Sequence, residues 1–223
     1  MNSGPELWTA IDQFVGGMLI PPDQVLEAAL EASADAGLPP IQVSACQGRL
    51  LQLLAQIHGA RSILEIGTLG GYSTLWLARA LPPGGRLITL EVDPKHAEVA
   101  RGNFRRAKLE KVIDLRIGPA IETLPKLAAE GLGPFDFTFI DADKAGTADY
   151  FTRAIKLSRP GSVIMVDNVV RKGTLIETDS SDPAVQGMRR FLERLSAEPR
   201  VTATVIQTVG SKGYDGFALA RVN

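Results

Sequence analysis

The sequence predicts an α/β protein: a mostly parallel sheet of seven strands with helices on both faces, preceded by a helical extension. Three observations predict it. Apolar residues in 1–60 recur at helical spacing. From Arg61 onward, short apolar runs alternate with amphipathic stretches at roughly 25 residues per unit, which is how a parallel sheet reads when both faces are covered. The last two runs follow each other with no helix between them, which adds an antiparallel, hairpin-like pair at the C-terminal end.

In order, Leu7, Ile11, Phe14, Val15 and Met18 mark a first helix that Pro21-Pro22 ends. Asp23 starts a second through Val25, Leu26, Ala29 and Leu30, closed by Gly37 and Pro39-Pro40. Ser44 is the N-cap of a third, which carries Leu50, Leu51, Leu54 and Ile57 and stops at His58-Gly59. Then come run 63–66 and helix 72–80, run 87–90 and helix 94–108, and run 112–117 and helix 120–130. Run 135–140 with helix 145–157, run 162–166 with helix 183–196, and runs 201–206 and 217–222 complete the chain. The expectation is one domain over 1–223, with residues 1–60 as helices and 61–223 as the core.

The 223 residues carry 24 Lys+Arg against 25 Asp+Glu, and 45% of side chains are apolar. That balance lacks the footprint of a dedicated nucleic-acid binder and the composition of a disordered tail. One cysteine, Cys46, cannot make an internal disulfide. No apolar run approaches the ~20 residues of a membrane span. The opening MNSGPELWTAIDQF has Glu6 and Asp12 and no basic region, unlike a signal peptide. A cytoplasmic protein is expected, with no nucleic-acid or membrane partner.

In an open parallel sheet, ligands sit beyond the C-terminal strand ends, so chemistry is sought there. After the first run stands Glu65-Ile66-Gly67-Thr68-Leu69-Gly70-Gly71-Tyr72-Ser73, a glycine turn into a helix N-terminus. Its spacing is neither that of the dinucleotide fingerprint nor of a P-loop. Glu91 ends the next strand, twenty residues past Gly71, where an acid can hold a ribose diol. Glu65 would repel a pyrophosphate, and no Lys or Arg from 63 to 78 offsets it. A cationic cofactor without phosphate, such as S-adenosylmethionine, suits that carboxylate; otherwise Glu65 faces solvent or pairs with a distant base. The fourth and fifth runs end in Asp141-Ala142-Asp143-Lys144 and Asp167-Asn168. Asp141, Asp167 and Asn168 offer oxygen donors without His or Cys, which suits Mg²⁺, Mn²⁺ or Ca²⁺ over zinc. Asp143 is read as a helix cap. Lys144, beside a bound metal, is a candidate general base.

These residues together resemble the cation-dependent O-methyltransferases, the group of caffeoyl-CoA and catechol O-methyltransferases, in their bacterial style. The resemblance runs through GLPPIQVS at 37–44, ILEIGTLGGYSTLWLARAL at 63–81, LEVDP at 90–94, GPA at 118–120, FDFTFIDADK at 135–144, VDNVVRKG at 166–173 and DGFALA at 215–220. It implies a Rossmann-like S-adenosylmethionine-dependent methyltransferase fold. It also implies cofactor contacts at Val43, Glu65, Gly67, Thr68, Ser73, Glu91, Ala120 and Asp141. The metal ligands would be Asp141, Asp167 and Asn168, with Lys144 and Asp141 at the chemistry. The implied reaction is methyl transfer to a hydroxyl of a catechol-type small molecule whose two oxygens chelate the divalent cation, Mg²⁺ foremost. The resemblance favours a homodimer. Lys172 stands where plant members carry a substrate-contacting Asn, and segment 171–183 does not resemble the plant substrate loop, so the acceptor does not carry over.

Alternatives are a methyltransferase acting on a nitrogen or another oxygen nucleophile and, against the glycine spacing, a nicotinamide dehydrogenase. No N-P-P-Y or D-P-P-Y motif for base methylation is present. Arg101, Arg105, Arg106, Lys108 and Lys111 interleave with acids and read as a solvated helix face. His58 reads as a helix C-terminus residue and His96 as a surface residue. Cys46 reads as a packed or half-exposed thiol. Trp8, Phe14 and Met18 form a stripe that is core, a lid or a dimer contact.

Overall fold

The computed structural model describes residues 4–223; the first three residues of the segment read for a targeting signal lie outside it. Three helices lead: α1 (Pro5–Leu19), α2 (Gln24–Asp35) and α3 (Ala45–His58). Strand and helix then alternate as β1 (Ser62–Ile66), α4 (Tyr72–Ala78), β2 (Arg86–Glu91), α5 (Pro94–Arg106), β3 (Ile113–Ile117), α6 (Ala120–Ala129) and β4 (Phe135–Ile140). A 3₁₀ turn (Lys144–Gly146) leads into α7 (Thr147–Lys156), β5 (Ser158–Asp167), a second 3₁₀ segment (Arg171–Ile176), α8 (Pro183–Ser196), β6 (Val201–Gly210) and β7 (Gly213–Val222).

The helix ends follow local chemistry. The Asp23 carboxylate accepts from the Val25 and Leu26 amides, Ser44 Oγ from the Gln47 amide, and Asp93 and Asp182 cap α5 and α8 ahead of a proline in each first turn. Gly59, at φ 70°, stops α3.

The strands form one sheet in the order β3-β2-β1-β4-β5-β7-β6, parallel except for β7, which is antiparallel to both neighbours. Alternation sends side chains to opposite faces. Leu64, Ile66, Ile88 and Leu90 pack beneath α6, α7 and α8. Ile63, Leu87, Phe137 and Phe139 pack beneath α2–α5. Strand order reverses between β1 and β4, and the loops of interest open at that switch point.

Several expected boundaries move. Helix α5 ends at Arg106, and Lys108 already stands at φ 57°. The turn at 144–146 is 3₁₀ ahead of α7. Strand β5 begins at Ser158, four residues early, because Arg159, Pro160 and Gly161 form a register shift against Phe135–Phe137 that no apolar run announces. The last pair extends to Gly210 and Gly213 and closes through Ser211-Lys212. Its outer halves are polar, so an apolar-run reading stops short of them. No helix among the described residues is long and apolar enough to cross a membrane.

Candidate active site

A cavity of about 600 Å³ opens beyond the ends of β1, β2, β4 and β5. Its first half is built on the turn after β1. Gly67 sits at φ 100° with its amide donating to the Leu90 carbonyl at 2.9 Å. A Cβ there would lie 2.0 Å from the Asp141 carbonyl oxygen, so only glycine lets the β1 and β4 loops meet.

Glu91, 7% exposed, organises this half. One oxygen accepts from the Thr68 and Leu69 amides (3.2 and 2.7 Å), the other from the Val92 and Asp93 amides (2.9 and 3.0 Å). Leu69 is thereby held at φ 51°. Val43, Gly67, Thr68, Ser73, Glu91 and Ala120 all line the cavity.

Glu65 does not. It is fully buried beneath the wall, where it accepts from Ser73 Oγ (2.7 Å), Thr89 Oγ1 (2.6 Å) and Thr74 Oγ1. It therefore neither faces solvent nor pairs with a base, and it reaches the cavity through Ser73. Burial pushes its carboxyl up to about 7, a rise that the three hydroxyls partly oppose.

The second half lies at the ends of β4 and β5. Asp141 lines the cavity and accepts from Lys144 Nζ at 2.6 Å, an ion pair with the lysine side chain 12% exposed. Asp167, 4% exposed, lies behind the wall; its oxygens accept from Gln47 Nε2 (2.6 Å) and the Asn168 amide (2.8 Å). Burial first, and the charge of Asp141 second, push the Asp167 carboxyl up to about 7. Asn168 lines the cavity at φ 57°, and its carboxamide has no hydrogen-bond partner among the described residues. Asp143 caps the 3₁₀ turn at the Gly146 amide (2.8 Å) and accepts from the Tyr150 hydroxyl.

This donor set fits a hard divalent cation. Asp167 is a buried carboxylate whose hydrogen-bond donors are both neutral, beside a second carboxylate and an unpartnered amide oxygen. Among the described residues no group of three or more His, Cys, Asp or Glu side chains is placed to hold a metal ion, and Asp141, Asp167 and Asn168 bring only two such side chains together.

Sequence reasoning missed three side chains. His96, read as a surface residue, is partly exposed, with 22% of its side chain accessible, and it also lines the cavity, 3.7 Å from Glu91 and 3.8 Å from Asp93. Its place three residues past Asp93, on the first turn of α5, was the available signal. Arg171 also lines the cavity, held at φ 55° while the Asp215 carboxylate accepts from its amide at 2.9 Å. Gln47 carried no local signal at all.

The O-methyltransferase family model matches residues 21–222. A catechol O-methyltransferase of Niastella koreensis is 52% identical over 217 residues, spanning 97% of this chain and 98% of that one. An O-methyltransferase from Bacillus cereus, solved in complex with SAH, superposes with a TM-score of 0.97 at 57% identity, covering 98% of this chain and all of that one. The O-methyltransferase TomG of Streptomyces achromogenes, involved in tomaymycin synthesis and solved with SAM, gives 0.96 at 48% identity over the whole of both chains. With this sheet order, this rim and these relatives, the chain belongs to the O-methyltransferase family and has its Rossmann-like methyltransferase fold.

Proposed function

We propose that this enzyme transfers the methyl group of S-adenosylmethionine to a hydroxyl of a small catechol-type acceptor, with a divalent cation, Mg²⁺ first among candidates, held by Asp141, Asp167 and Asn168. The observation that carries the reading is the joining of two half-sites in one cavity. A glycine turn and Glu91 stand on one side, and Asp141, Lys144 and Asn168 on the other. The catechol class is supported by the name of the Niastella koreensis relative.

On this reading the Gly67–Leu69 turn, Glu91 and Ala120 bind the adenosine end, and Ser73, backed by Glu65, faces the sulfonium. The bound cation supplies positive charge that lowers the pKa of a phenolic hydroxyl from near ~10. Lys144 Nζ, held as an ammonium at the rim beside Asp141, would first release a proton to solvent as a bound cation takes up the Asp141 carboxylate, and the free amine then takes the hydroxyl proton. The oxygen forms its bond to the methyl carbon as the sulfur–carbon bond breaks, and that electron pair leaves on sulfur as a neutral thioether. The cavity walls hold donor and acceptor in line. An apolar stripe on α1 supports a homodimer, and the single cysteine supports a cytoplasmic setting.

The test combines purified protein, S-adenosylmethionine and a catechol such as caffeate. Turnover is expected with Mg²⁺, is lost in EDTA, and returns when Mg²⁺ is restored. Undiminished turnover after rigorous metal removal sinks the metal part of the reading.

A further inference from the structure

Gln47 and Asp167 are 120 positions apart in the chain, yet Gln47 Nε2 donates to Asp167 Oδ2 at 2.6 Å. The contact joins the N-terminal helical layer to the end of β5. Its reach is fixed by packing. On the residue after Gln47, a Cβ at Gly48 would lie 2.4 Å from the Trp76 indole, so α3 sits directly on α4 there. Arg49, one residue further, lies 4.8 Å over the same ring. The Gln47 amide itself donates to the Ser44 cap at 3.2 Å. The side chain thus leaves a helix start that is anchored at both ends.

The chemistry of the contact is specific. Asp167 Oδ1 is oriented by the neighbouring Asn168 amide at 2.8 Å, and Oδ2 has Gln47. The nearby cation, Lys144, is engaged by Asp141 instead. A carboxamide fixes the plane of a carboxylate without neutralising it, so the charge stays available to a cation. A lysine or arginine in its place would cancel that charge. Without the amide, a buried oxygen loses its donor and the carboxylate regains rotational freedom.

We propose that Gln47 is a positioning residue for cation binding, an element of the N-terminal helices that orients Asp167 toward the metal. The proposal rests on the metal reading given above. Its test measures Mn²⁺ binding to the whole protein by electron paramagnetic resonance, and SAH binding in metal-free buffer by calorimetry. Gln47→Met and the shorter Gln47→Asn are compared with the unaltered chain. Both substitutions are expected to weaken Mn²⁺ binding roughly 10- to 100-fold while SAH affinity stays within about twofold. Raised Mn²⁺ should restore most of kcat, a split expected of an orienting role and not of a general loss of structure. Unchanged Mn²⁺ affinity in both variants overturns the proposal. So does a parallel loss of SAH binding, which would make Gln47 a support of α3 alone. If the unaltered protein binds no Mn²⁺, the metal reading itself fails, and this inference falls with it.

Discussion

Glu65 and Glu91 are neighbouring strand-end acids held in opposite ways. Glu91 is surrounded by four backbone amides, whereas Glu65 has three hydroxyls and full burial. With its folded pKa raised from 4.5 to about 7, Glu65 in the folded protein keeps its proton over a range in which the unfolded chain has released it. Below about 4.5 the two states are protonated alike. From there to about 7 the folded state binds more protons, so stability falls as pH rises; above 7 the full penalty stands, on the order of 3 kcal/mol. Glu65→Gln removes the titration while keeping shape. The melting temperature of the variant relative to the unaltered protein is therefore expected to rise from pH 5 to pH 8. A difference that stays constant over that range would place the Glu65 pKa near its ordinary value.

At the level of elements, the rim of the cavity depends on helices touching backbone. Gly187 on α8 is buried where a Cβ would lie 2.1 Å from the Lys144 carbonyl oxygen, and Arg190 donates to the Ala145 carbonyl at 3.3 Å. Gly187→Ala improves helix propensity by about 1 kcal/mol, yet it must push the Lys144 segment outward. Since Lys144 Nζ reaches Asp141 from that segment, turnover is expected to fall on the order of 10- to 100-fold as the reacting groups shift. Steady-state kinetics beside a melting curve checks this, and full activity would show that α8 slides away freely. The same example separates what the chain discloses from what it hides. Asp141, Asp167, Glu91 and Gly67 were legible because strand ends follow from periodicity, and chemistry collects at strand ends. Gly187, Gln47 and the early start of β5 were not, because each depends on a partner far away in sequence: a carbonyl 43 positions off for Gly187, a carboxylate 120 positions off for Gln47. Glu65 fell between the two, its place readable and its burial not.

For the whole molecule, near-neutral charge conceals an acidic rim and an uncovered apolar face. Helix α1 buries none of its residues fully, although it packs on the β6–β7 pair and Asp12 accepts from the Ser211 amide at 2.8 Å. Ile11, Phe14, Met18 and Leu19 are 50–69% exposed, and Ile206 and Val209 on β6 add to that surface at 46 and 54%. Of the three readings of the N-terminal stripe, core is therefore excluded for Phe14 and Met18. Apolar area of this kind is stabilised by coverage at roughly 25 cal/mol per Å², and an isologous second copy covers two such faces at once. A homodimer through α1 and β6 predicts that the unaltered protein elutes at twice its chain mass in light-scattering chromatography. The double variant Phe14→Glu, Met18→Glu should elute as a monomer with an unchanged circular-dichroism spectrum, since neither side chain belongs to the core. A monomeric unaltered protein at micromolar concentration would instead leave this face free to act as a lid over the acceptor, and the double variant would then change the KM for the acceptor while the mass stayed the same.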